Sequence, residues 1–226
     1  MEQKIYRLLP YALHGTKPLV FFMSGMHGDE AQSSPLLVRY LLMHEKELPP
    51  FLCIPVVSPT ATAMGTRING QGHDINRQFY TGTKDEEAST MMELIKPYKF
   101  RVVIDLHEDP DRTSSFYLYD SGRMTEGELS DYRSLVQQTP AKLYTGIDDV
   151  VDKELGCEID KGYYAFSMEW LQNIHEDAGF SSKWIIRNGI APRVFTLEIP
   201  GRASLEVKDA LIGSIVPFLV QSFCTQ

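Results

Sequence analysis

The sequence predicts an α/β fold, a mixed and largely parallel sheet with helices on both faces, and three observations carry that prediction. Four short apolar runs, Leu19 to Met23, Phe51 to Val57, Arg101 to Leu106 and Arg193 to Ile199, are rich in Val, Ile or Phe, as buried central strands are. Between them lie longer segments with helical spacing: Ala31 to Glu45, Lys84 to Tyr98, Glu126 to Gln138, Gly162 to Ala178 and Leu205 to Phe223. Strands that alternate with helices imply a parallel sheet covered on both sides. The chain of 226 residues is long enough for a substantial core, and no repeat, low-complexity tract or Pro/Gly/Ser linker divides it. A single domain over residues 1–226 is therefore expected.

In chain order, Lys4 to Leu13 alternates weakly and reads as an edge strand or a piece of loop. Leu19 to Met23 is the first buried strand, and the turn MHGDEAQ leads from it into the first helix. After the second strand, Gly65 to Gly82 is a polar loop dotted with glycine, of a length that usually has a function. Phe116 to Tyr119, beyond the third strand, again reads as edge strand or loop. The apolar run from Ala210 to Val220 is too short to span a bilayer, and Pro217 interrupts it.

Charge narrows the function. With 22 basic and 30 acidic residues the formal charge is −8, which argues against a nucleic-acid surface. Cys53, Cys157 and Cys224 are widely spaced and fit neither a disulfide framework nor a Cys-rich zinc site, so reduced, buried thiols are expected. The start MEQKIYRLLPYALHG has no apolar signal segment. The expectation is a cytoplasmic protein with a small-molecule substrate and neither nucleic acid nor membrane as partner. No feature of the sequence indicates an oligomeric state.

The residues with chemical potential fall at strand ends. His27 and Glu30 stand three apart just beyond the first buried strand, where open α/β sheets place their ligands. Both can reach one cation, or Glu30 can simply open a helix where acidic groups suit the dipole. His107, in VVIDLHEDP, ends another strand in the same way, and a parallel sheet would bring the two ends together. Three protein ligands with a fourth position for water is the ligand count of a catalytic zinc. Asp105 shares a strand face with His107 and can orient its ring or bond to backbone. Glu108 reads equally as an exposed carboxylate.

The loop GTRINGQGHDINRQF supplies Arg67, Asn76 and Arg77 beside glycines, either to hold a substrate carboxylate with Asp74 as a brace or as a solvated loop. In RVFTLEIPGR, Glu198 lies inside an apolar strand, where an unpaired carboxylate is costly. A salt bridge to Arg193 or Arg202 would justify it, as would service as a general base beside metal-bound water. His14, His44, His73 and His175 have no partner at ligand spacing and read as surface or satisfied core histidines. Met91, Met92 and the aromatics near Phe166 and Trp170 read as core or cleft lining. Arg112, Arg123, Arg187 and Arg193 each face either a second substrate charge or solvent.

Taken together and in order, HGDE at 27–30, Arg67, NR at 76–77, His107 and Glu198 resemble the zinc carboxypeptidase family. In that family HxxE and a later His hold one zinc ion, an NR pair binds the substrate's terminal carboxylate, an upstream Arg polarises the scissile carbonyl and a late Glu is the base. The resemblance implies one Zn²⁺ on His27, Glu30 and His107, substrate binding by Arg67, Asn76 and Arg77, and catalysis by Glu198 and Arg67. It also implies the zinc carboxypeptidase-like fold.

Within the family, the GTRINGQGHDINRQF loop and TLEIP look most like the murein peptide amidase branch, which is compact and cytosolic and cleaves between γ-D-glutamate and meso-diaminopimelate. His73 and Gln78 depart from that branch, which has an apolar residue and Asn there. The related succinylglutamate desuccinylase/aspartoacylase group shares HxxE, DLH and the late Glu, and usually adds a C-terminal β subdomain; the residues after Glu198 read instead as one helix. Tyr163 and Tyr164 are nearest to the tyrosine of the larger digestive carboxypeptidases and read more simply as buried aromatics.

The function this implies is a metallocarboxypeptidase or amidase acting next to a substrate carboxylate, on a small peptide such as one containing γ-D-glutamyl-diaminopimelate. The alternatives are a deacylase of an acyl-amino-acid substrate and a non-catalytic carboxylate-binding protein, which would have no need of Glu198.

Overall fold

The four apolar runs become the middle of one sheet. In the computed structural model, which describes residues 1–148, 156–167 and 179–224, the strands β1 (Glu2–Tyr6) and β2 (Leu9–His14) form a hairpin ahead of β3 (Val20–Ser24) and α1 (Ser33–Met43). There follow β4 (Phe51–Ile54), α2 (Pro59–Met64), α3 (Glu86–Ile95), β5 (Val102–Asp109), β6 (Ser115–Asp120) and α4 (Glu126–Gln137). The chain continues through β7 (Lys142–Leu143), β8 (Gly146–Ile147), β9 (Glu158–Ile159) and β10 (Tyr163–Ala165) to α5 (Ser181–Arg187), β11 (Val194–Pro200) and α6 (Leu205–Cys224). The sheet runs in the order β1-β2-β4-β3-β5-β11-β6-β10. Its centre, β4-β3-β5-β11, is parallel, while β1, β2 and β6 join antiparallel.

Alternation along the strands sorts the core into two layers. Val20 and Phe22 of β3 pack with Leu37 and Leu41 of α1 and with Ile212, Ile215 and Leu219 of α6. Phe21 and Met23 face the other way, toward Met91, Leu94 and Ile95 of α3 and Ile185 of α5. Burying a Leu, Ile or Phe side chain is worth about 1.5–3 kcal/mol, so each layer holds its helices in place. The 20-residue α6 is longer than the apolar run read from the sequence, and by length and composition it matches a membrane span; half of that window is buried in the fold. Cys53, Cys157 and Cys224 are buried free thiols.

Several elements differ from the sequence reading. The stretch from Lys4 to Leu13 is two strands, not one, because the chain reverses at Arg7, whose φ is 54°. The second strand stops at Ile54, since Pro55 has no N–H to continue the ladder. Phe116 to Tyr119 belongs to β6, an interior strand between β11 and β10. The helix expected from Gly162 begins as strand β10, where Tyr163 and Tyr164 suit a pleated surface and pair with β6; residues 168–178 lie outside the described residues. The short helices α2 and α5 were not anticipated.

The same alternation builds the site. On β5, Val102, Ile104 and Leu106 enter the α1/α6 layer, while Val103 enters the α3 layer. Asp105 and His107 therefore share the face of Val103, beyond its apolar cluster. On β11, Phe195, Leu197 and Ile199 likewise leave Glu198 on that second face. The parallel register sets Glu198 beside His107.

Candidate active site

The HxxE turn folds back because of one glycine. His27 is extended (φ −119°, ψ 145°) and the 3₁₀ turn Gly28–Glu30 then returns the Glu30 side chain toward it. A Cβ on Gly28 would stand 1.8 Å from the Ala61 carbonyl oxygen of α2, so only glycine lets the turn lie this close.

Two imidazoles converge on one carboxylate. His27 Nδ1 is 2.9 Å from Glu30 Oε1, and His107 Nδ1 is 2.9 Å from Glu30 Oε2. The ring centroids are 5.3 Å apart, and one donor atom from each of the three buried residues lies within 4.8 Å of the others. The opposite nitrogens are held by further carboxylates: His27 Nε2 lies 3.0 Å from Asp74 Oδ1, and His107 Nε2 lies 3.2 Å from Asp105 Oδ2. Metal-ligating histidines are oriented in this way. Two imidazole nitrogens and a carboxylate oxygen also form a donor set that a divalent transition metal accepts. Asp105 Oδ1 is buried without a hydrogen-bond partner among the described residues, which leaves extra negative charge behind His107.

Electrostatics fits a cation at this point. Burial alone would lower the pKa of His107, but the Asp105 and Glu30 carboxylates outweigh it and raise the pKa well above 6.5. Burial would raise that of Glu30, yet hydrogen bonds from His107 and His27 hold it well below the usual carboxylate range. Asp74 is likewise held low, with burial overcome by the hydrogen bond to His27 and the charge of Arg67.

Asp74 also organises the loop. It accepts from Arg67 Nε at 3.0 Å and from the Asn76 backbone N–H at 3.0 Å, while Arg67 Nη1 donates to Glu30 Oε1 at 3.1 Å. Asn76 Oδ1 accepts the Ser181 N–H (3.0 Å), which turns its NH₂ group into the available donor. The Arg77 guanidinium lies 4.3 Å above the Phe180 ring. Arg67, Asn76, Arg77, His27, Glu30, His107 and Glu198 thus all line one cleft of about 760 Å³.

Glu198 is half-buried. Burial pushes its pKa up to about 8, against the charge of His107 and with added repulsion from Glu30. The salt bridges that the sequence offered as its structural alternative do not form: Arg193 pairs with Asp120 at 2.6 Å and Arg202 with Asp111 at 3.1 Å. Arg112 is also engaged, by Asp109 at 3.0 Å and by the Tyr144 ring.

Glu108 is not at the surface; it is 2% exposed, because strand alternation turns it toward α6. His14, His44 and His73 pair with Glu45, Glu47 and Asp85 and join no ligand group among the described residues. Met91 is core and Phe166 lines the cleft, whereas Trp170 and His175 lie outside the described residues. Tyr117 and Tyr119 went unnoticed in the sequence. Both line the cleft, and Tyr117 stands across from Glu198 in the β11–β6 register. The alternation Phe116, Tyr117, Leu118, Tyr119 was the signal for them.

A mostly parallel sheet whose strand ends gather two histidines and a glutamate is a carboxypeptidase-like α/β fold with a candidate metal site. Residues 16–144 match the succinylglutamate desuccinylase/aspartoacylase catalytic domain, and the chain belongs to that family. Comparison with curated proteins gave no match. Among solved structures, a Shewanella amazonensis SB2B protein assigned as a metallopeptidase superimposes with a TM-score of 0.77 at 19% identity, over 100% of this chain and 88% of that one. A metallo-carboxypeptidase from Burkholderia cenocepacia gives 0.62 at 15% identity, over 94% of this chain and 60% of its own. A succinylglutamate desuccinylase/aspartoacylase from Rhodobacter sphaeroides gives 0.55 at 18%, over 93% and 58%. At these identities the likeness is one of fold.

Proposed function

We propose that this chain is a zinc-dependent hydrolase of the carboxypeptidase or amidase type, which cleaves an amide bond next to a substrate carboxylate. The observation that carries the reading is the convergence of His27, His107 and Glu30 within 4.8 Å, with Glu198 registered beside His107. His27 Nδ1, His107 Nδ1 and Glu30 would hold the ion. Zinc bound there supplies a Lewis acid for the amide carbonyl and acidifies a water.

The chain's own groups do the rest. The Glu198 carboxylate accepts the proton of the attacking water and then delivers it to the leaving amine nitrogen, for which a pKa raised toward neutrality suits both directions. Arg67 carries a guanidinium beside Glu30, where it stabilises the negative charge that develops on the carbonyl oxygen. Asn76 NH₂ and Arg77 hold the substrate carboxylate, and the Phe180 ring keeps Arg77 in the cleft.

The family match favours a second reading, in which the held carboxylate belongs to an acylated aspartate or glutamate and the reaction is deacylation. One panel tests both. Zinc-loaded and chelator-treated protein is incubated with C-terminal peptides, γ-D-glutamyl-diaminopimelate peptides, acyl-aspartate and acyl-glutamate, and products are read by mass spectrometry. Zinc-dependent cleavage of peptides supports the first reading, and preferential cleavage of acyl-amino acids the second. Saturable binding of these ligands with no metal-dependent product would reduce the protein to a carboxylate binder.

A further inference from the structure

One ammonium group touches the three chain segments that follow Glu30, His107 and Glu198. Lys208 is fully buried in the first turn of α6, the end of a helix where the dipole disfavours a cation. Its location therefore has to be explained by its partners. Lys208 Nζ donates to Glu108 Oε2 at 2.5 Å, to Gln32 Oε1 at 2.9 Å and to the Gly201 carbonyl at 2.8 Å. An ammonium has three protons, and all three are used.

The partners come from three places. Gln32 is two residues beyond Glu30, Glu108 directly follows His107, and Gly201 is three residues beyond Glu198. Glu108 extends the tie: its Oε1 accepts the Ser33 N–H at 2.5 Å at the start of α1, and its own backbone N–H donates to Glu30 Oε2 at 3.4 Å. Breaking the pair would leave a buried carboxylate without its counter-charge and free the three segments to shift against one another.

We propose that Lys208, acting through Glu108 and Gln32, is a positioning residue that sets the mutual placement of Glu30, His107 and Glu198. It touches no substrate. The inference rests on the metal-site reading above, and its test separates the two.

Zinc affinity is measured by competition with a chromogenic chelator for the wild type, Lys208→Met, Lys208→Met/Glu108→Gln and Gln32→Ala. Thermal stability and the spectrum of each Co²⁺-loaded protein are recorded alongside. Lys208→Met should lower zinc affinity by about 10-fold, the lower end of the loss seen when a direct partner of a metal ligand is removed, because Lys208 acts one contact further out. The double variant has no unpaired buried charge, so it should regain stability while its affinity stays low and its cobalt spectrum stays altered. Gln32→Ala, at an exposed position, should keep wild-type stability and lose affinity by a smaller factor.

Recovery of both stability and affinity in the double variant would make Lys208 a purely structural residue and overturn the proposal. Wild-type affinity in Lys208→Met or in Gln32→Ala would do the same, and Gln32→Ala decides alone where the Lys208 variants fail to fold. If the wild type itself takes up no zinc, the metal reading falls first; if it binds zinc and the variants bind equally well, only the role of Lys208 is lost.

Discussion

Replacing Glu198 by Gln keeps the shape of the side chain and removes its proton chemistry. In the metal-free protein the Glu198 carboxyl titrates near 8, against 4.5 in an unfolded chain. Between those values the folded chain retains a proton that the unfolded chain has released, so stability declines as pH rises from about 4.5 through about 8. At about 1.4 kcal/mol per pH unit the decline is on the order of 4 kcal/mol, reduced by the solvent that reaches Glu198 through the cleft. Glu198→Gln has nothing to titrate there. Metal-free Glu198→Gln should therefore match the wild type near pH 5 and exceed it by a few kcal/mol at about pH 8.5 in urea denaturation. The zinc-loaded variant should keep its metal, because Glu198 is not one of the three proposed ligands, and lose about 10²- to 10⁴-fold in kcat. Near-normal turnover, or a variant no more stable than the wild type at the higher pH, would refute the assigned environment and role.

Other outcomes follow from neighbouring groups. His107 is protonated above the usual imidazole range in the metal-free protein, and a ligand must be neutral, so zinc uptake should release a proton and affinity should fall as pH is lowered. Calorimetry in buffers of different ionisation enthalpy reads that proton, and a count of zero would contradict it. Asp74→Asn weakens the hold on both His27 and Arg67, and should cost about 10- to 100-fold in zinc affinity together with a rise in KM. Unchanged affinity would show that the His27 ring is fixed by other contacts. Gly28→Ala drives a methyl into the Ala61 carbonyl and should destabilise the fold by about 1–3 kcal/mol in urea denaturation; wild-type stability would mean that the turn can move away from α2.

What could be read in the sequence depended on whether the determining interaction was local. The runs at Val20, Phe51, Val102 and Val194 were legible because strands buried on both faces are continuously apolar. His27, Glu30, His107 and Glu198 stood out because each is a polar exception at or near the end of such a run. The helices α2 and α5, of six and seven residues, are too short to show a hydrophobic period. Strand β6 reads from the sequence as edge strand or loop because its tyrosines face a cleft rather than a core, and only their alternation with Phe116 and Leu118 marks them as one face. The burial of Glu108 was illegible for a different reason: its counter-charge, Lys208, is 100 residues away, and only the packing of α6 brings the pair together.

The site is in this sense a product of strand parity. On β5 the even-numbered residues Val102, Ile104 and Leu106 are core, and the odd-numbered Asp105 and His107 follow Val103 on the other face. A side chain changes face with every residue, so inserting one residue between Ile104 and Asp105 would turn both polar groups into the α1/α6 layer and leave Glu30 without a second imidazole. The same insertion would carry Glu108 away from Lys208 and toward the cleft. Site geometry and core packing therefore rest on one alternation, which explains how residues as far apart as His27 and Glu198 line one cleft without any local motif joining them. Parallel register aligns the strand ends, the alternating pattern chooses the face, and the carboxylates of Asp74 and Asp105 fix which nitrogen of each ring points inward.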